Sequence, residues 1–204
     1  VTSARPEAFE DVAFLSGAAL NHLHLVLGRE EVPKALLRDR LALRAAEACV
    51  GFSGRPERAP ELRDAIHLLR PGDLPGPAGE TYLAWRRAVE RPVSIKALGR
   101  ALPAFESGKI AMWLNAGKGA PVIRAAMVLE AVLTEAPRAD VASLVLADVA
   151  LAQTFGWDHL VPLLAAGLKR ADLRKQGDDL RLACHRALIL SAVEAVRLSA
   201  DLAR

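Results

Sequence analysis

DVASLVLADVALAQTFG, the stretch from Asp140 to Gly156, decides the fold. Its apolar run from Val141 to Phe155 is the longest in the chain, yet it falls short of the ~20 residues that cross a bilayer and is interrupted by Asp148 and Gln153. It therefore reads as a buried core helix over Asp140 to Phe155, ended by Gly156.

Helical signatures continue on both sides of it. Pro121 opens a helix to Thr134 from its first turn, where a missing N–H costs nothing. Asp158 suits the cap of a short helix in which Pro162 lies close enough to the start to be tolerated. The last and longest helix begins at Asp178 and Asp179, which suit the positive end of a helix dipole. It carries Leu182, Ala183, Leu188, Ile189, Val193, Val196 and Leu202 at helical spacing.

Toward the N-terminus, one helix runs from about Glu7 to Leu27 and a second from Val32, with Pro33 in its first turn, to about Phe52. A third covers Pro60 to Leu69 and a fourth Ala78 to Glu90. Ser94 caps a fifth that Pro103 limits, and Phe105 to Asn115 forms another that leaves through Gly117, Lys118 and Gly119. The segment from Arg70 to Pro77 holds three prolines and two glycines and reads as a loop. Strict apolar and polar alternation, the mark of a half-buried strand, is almost absent.

The expected fold is all-α, an irregular bundle of about nine helices of ordinary length in a single helical domain over residues 1–204. Stacked helical hairpins are the alternative. The one echo of a repeat, Arg5-Pro6-Glu7 against Arg55-Pro56-Glu57, does not extend.

Composition supports this reading. Of 204 residues, 52% are hydrophobic but only 4% aromatic, so the apolar content is mostly Ala, Leu and Val. Ala and Leu are strong helix formers. The formal net charge of +3 is far from that of a nucleic-acid tail or a polybasic membrane patch. Cys49 and Cys184 each sit in an apolar helical pattern, where a free thiol behaves as a small hydrophobe, so a reducing, cytoplasmic setting is expected. The stretch Val1 to Glu10 carries Arg5, Glu7 and Glu10 with no apolar core and does not read as a secretory signal.

The richest site candidate is the elbow from His67 to Trp85. Arg63, His67 and Arg70 share one helical face, opposite the stripe Leu62, Ile66 and Leu69, and point toward the Pro/Gly loop. Asp73 could accept hydrogen bonds from His67 or Arg70. With Tyr82, Trp85 and Arg86 on one face of the next helix, the group could line a pocket for an anionic or planar ligand. The plainer reading has His67 and Arg70 holding the last carbonyls of their helix, Asp73 anchoring a turn and Trp85 filling the core.

Asp148 is a buried-polar candidate, flanked at helical spacing by Leu144, Val145, Leu151 and Ala152. Such a carboxylate is a proton-transfer group with a raised pKa or, more commonly, is paired with an arginine from another helix.

Other chemistry is weakly supported. His22 and His24 diverge on a helix, and His159 and His185 have no ligand-type neighbour three or four residues away, so no metal site is expected. Gly117-Lys118-Gly119 lacks the glycine, hydroxyl and strand that a phosphate loop needs. Ser94 to Trp113 could form a helix-turn-helix with Lys96, Arg100 and Lys109 near phosphates and Arg86, Arg87 and Arg91 upstream. Its second helix, however, is apolar where base edges call for polar side chains. Lys169, Arg170, Arg174 and Lys175 read as a solvated face.

Several stretches together resemble an uncharacterised bacterial family known as a domain of unknown function. They are Leu41 to Ala46, Leu62 to Asp73, Pro75 to Gly79, Leu83 to Arg87, Asp140 to Asp148 and Gly156-Trp157. The resemblance implies no activity, cofactor or partner. Similar sequences are expected to carry a threonine at Leu69 and a second acid at Leu74, so this chain's loop is the less polar one.

The leading expectation is a non-catalytic helical interaction or regulatory domain without a cofactor, meeting a protein partner or a second copy of itself. No membrane partner is expected, and nucleic acid is disfavoured. The alternatives are a small-molecule enzyme or sensor at the His67 to Trp85 elbow and a nucleic-acid-binding protein.

Overall fold

A computed structural model describes residues 9–70 and 72–204. Ten α-helices follow one another: α1 (Phe9–Leu27), α2 (Lys34–Phe52), α3 (Ala59–His67), α4 (Gly76–Glu90), α5 (Ile95–Ala101), α6 (Ser107–Ala116), α7 (Pro121–Glu135), α8 (Asp140–Phe155), α9 (Leu164–Gly167) and α10 (Gly177–Leu202). A single 3-10 turn covers Asp172–Arg174, and no strand occurs among the described residues. The molecule is an all-α multi-helix bundle.

The α8 helix is its axis. Every residue from Ala142 to Ala152 is buried, as an all-round apolar helix requires. The α7 helix lies along it, and α4, α6 and α9 contact other parts of it. Around this centre α1 pairs with α10 and α2 with α4, while α10 also reaches α7 and α2, so one apolar core links Leu20 to Ala195. The α1–α10 seam contains one buried polar pair, Ser16 Oγ and His185 Nδ1 at 2.6 Å, 169 residues apart.

Where the chain must approach another backbone closely, it uses glycine. A Cβ on Gly167 would lie 2.5 Å from the Ala187 carbonyl oxygen, so the short α9 rests directly on the α10 backbone. Ser94 caps α5, its hydroxyl accepting the Ala97 N–H at 3.2 Å.

Several helix boundaries differ from expectation for local reasons. Gly76 and Pro77 are already in the first turn of α4, since a helix tolerates proline there; the loop is correspondingly shorter. Pro33 is the N-cap of α2 instead of part of its first turn. The helix expected from Asp158 starts only at Leu164, because Pro162 disfavours helical geometry at Val161 and lacks a donor of its own. Residues Trp157 to Leu163 instead run irregularly, with the Asp158 carbonyl accepting the Val93 N–H at 2.8 Å. The expected start of α1 at Glu7, the Arg5-Pro6-Glu7 echo and Pro71 lie outside the described residues.

Candidate functional site

The elbow does not gather its candidates around one cavity. His67, Arg70, Asp73 and Arg86 are exposed, whereas Tyr82 and Trp85 are buried. Asp73 accepts the Arg70 N–H at 3.0 Å, and the Asp73 N–H returns to the Arg70 carbonyl at 3.0 Å, which closes a tight turn. Trp85 packs in the core, where the Cys49 thiol is the polar neighbour of its indole N–H. Burial pushes both thiols, Cys49 and Cys184, up to about 12, so neither is a nucleophile at neutral pH. The depression that Asp73 lines with Leu68 and Leu74 includes none of the other five candidates.

Asp148 is fully buried, and its partners are not an arginine but two backbone amides. The Leu163 and Leu164 N–H groups donate to its carboxylate at 3.0 and 3.1 Å. They are the orphan donors at the start of α9, so a side chain of α8 caps a helix that begins sixteen residues further on. Burial pushes this carboxyl up to about 8, against the two amide bonds that favour its charged form.

A different region leaves its polar groups open. The end of α1, the first two turns of α2 and the turn after α8 enclose a cavity of about 550 Å³, lined by His24, Arg29, Lys34, Arg38, Trp157 and His159 among others. Lys34 and Arg38 are four residues apart and so project from one face of α2. The first turn of α2 has neither a side-chain cap nor an acidic residue, which leaves its positive end uncompensated. One wall is aromatic: His24 lies nearly parallel to Trp157 at 6.4 Å, and Phe155, outside the lining, stacks on Trp157 at 5.1 Å.

The Trp157 indole N–H donates to His24 Nδ1 at 2.9 Å. That bond uses Nδ1 of His24 as an acceptor. Arg38 Nε is buried without a hydrogen-bond partner, and Arg38 makes no ion pair among the described residues. Burial lowers its pKa, opposed by nearby Asp39. Arg124 and Arg181 also bury an unbonded Nε, but their terminal nitrogens bond Gln153 and Asp178. His159 is held below its ordinary value, first by burial and then by Arg38, and is neutral at pH 7.

Sequence reasoning passes over this pocket, because its residues lie on three separate elements. The local signal is the Lys34 and Arg38 spacing at the head of a helix whose first turn holds no acid.

The helix-turn-helix candidate has its second helix committed elsewhere. Ile110, Trp113 and Leu114 of α6 are buried, Lys109 pairs with Glu135, and the Trp113 N–H donates to Glu135 at 2.7 Å. Among the described residues no group of three His, Cys, Asp or Glu side chains could hold a metal ion, and no helix is long and apolar enough to cross a membrane.

No curated protein and no solved structure matches the chain. A family model does, over residues 2–204, a span that includes the Pro/Gly loop, the Asp148 helix and every residue of the open pocket. The chain belongs to the family described as Protein of unknown function (DUF1403).

Proposed function

We propose that this chain is a helical binding domain of regulatory type whose ligand is a small organic anion held in the pocket between α1, α2 and the turn after α8. The observation that carries this reading is Arg38, a half-buried guanidinium with no hydrogen-bond or ion-pair partner among the described residues, opening on a cavity that also presents Lys34 and Arg29. Removing a guanidinium from water without pairing it is costly, and an arriving carboxylate, sulfonate or phosphate supplies the missing acceptor. The volume suits a small molecule, and the aromatic wall suits a flat one.

The test is fluorescence titration with benzoate, benzenesulfonate and phenyl phosphate, using Trp157→Phe to assign the signal, since Trp85 and Trp113 are buried. At least one probe saturates in the wild type, and Arg38→Gln loses that response while keeping its helical circular dichroism. No saturable binding, or binding indifferent to Arg38→Gln, overturns the proposal.

A second reading, contact with another copy of the chain, is favoured by α1. Between Asp11 and Arg29 there is no Asp, Glu, Lys or Arg, and Phe14 and Leu25 stand 75% and 60% exposed along its outer side. Sedimentation should then show a dimer that Phe14→Ser with Leu25→Ser dissociates, and a wild-type monomer at high concentration rejects this reading.

A further inference from the structure

Resting on the anion-binding reading, we infer that the pocket selects a dianionic phosphate monoester carried on an aromatic ring.

Charge comes first. The fixed cations at the pocket are Arg29, Lys34 and Arg38, and the one carboxylate lining it is Asp158. None of these four side chains forms an ion pair with another, and burial holds His159 below its ordinary value. Glu30 and Glu31 are in the same turn as Arg29 but do not line the cavity, and Asp39 lies beside Arg38 without pairing to it. The fixed charges of the lining side chains alone leave a surplus of two, which a dianion matches and a monoanion leaves half compensated.

Shape comes second. Lys34 and Arg38 are one turn apart at the uncompensated head of α2, so their charges converge on one compact group and do not spread over two separated carboxylates. A guanidinium fork and a helix N-terminus together suit the oxygens of a tetrahedral phosphate. The Trp157 and His24 rings supply the flat wall. Because the Trp157 N–H is already spent on His24, that wall offers ring faces to an aromatic body.

Three probes separate these elements by titration at pH 7.5, where a phosphate monoester with a second pKa near 6 is mostly dianionic. Phenyl phosphate has ring and two charges, phenyl sulfate has ring and one charge, and inorganic phosphate has charge without ring. The expected order puts phenyl phosphate at least about tenfold tighter than either of the others, a modest share of what one added charge pair contributes near a protein surface. Trp157→Ala should erase the advantage over inorganic phosphate and leave the affinity for inorganic phosphate unchanged.

Equal binding of phenyl sulfate overturns the dianion, and equal binding of inorganic phosphate overturns the aromatic body. If none of the three binds while benzoate or benzenesulfonate does, this inference falls and the anion-binding reading stands. If no organic anion binds, that reading itself falls.

Discussion

The two ends of one segment, Trp157 to Leu164, treat polar groups in opposite ways. At its far end the Leu163 and Leu164 amides are sealed in the core, and both are satisfied by Asp148. At its near end Trp157, Asp158 and His159 open on a cavity where Arg38 has no acceptor among the described residues. The fold brings a carboxylate from another helix to pair two buried amides, while His185 Nε2 and Arg38 Nε stay buried and unbonded; what sets Arg38 apart is that it opens on a cavity lined by further cations. The unpaired guanidinium therefore points to use, and the paired carboxylate to construction.

The contrast can be broken by substitution. The largest effect is expected from Asp148→Ala, which leaves two buried N–H groups without acceptors beside a small void. Loss of stability should be about 3–5 kcal/mol in chemical denaturation, and a loss below about 1 kcal/mol would show that α9 does not depend on this cap.

A smaller effect comes from pH. The folded Asp148 carboxyl is raised to about 8 while the unfolded one is near 3.8, so the folded state holds a proton that the unfolded state has released between these values. Stability from this group is complete below about pH 4 and is lost as pH rises toward and through 8. Denaturation midpoints measured across that window should fall with rising pH, and Asp148→Asn, which cannot titrate, should flatten the decline.

The smallest change in stability is expected at the open end. Arg38→Gln removes a charge that pairs with nothing, so unfolding should shift by no more than about 0.5 kcal/mol in either direction, even as anion binding is lost. A large destabilisation would make Arg38 a structural residue after all.

The sequence reveals the sealed end better than the open one. Apolar neighbours at helical spacing are enough to place Asp148 in the core, because burial follows from periodicity along one helix. Its partners are not legible, since nothing local distinguishes an arginine on another helix from the amides of a turn beyond Pro162. The same limit hides the pocket: His24 and Trp157 meet across 133 residues, and each looks unremarkable within its own helix or turn. The Pro/Gly loop draws attention for the opposite reason. Its composition is conspicuous, but proline, glycine and Asp73 together describe a turn, and a turn is what they form.

The Ser16–His185 seam carries a consequence for biosynthesis. With its partner 169 residues downstream, α1 leaves the ribosome roughly 10–30 s before the segment that covers it, at ordinary elongation rates of 5–20 residues per second. Throughout that interval α1 lacks the helix that makes most of its contacts, so the first helix of the chain waits on the last for its main covering surface.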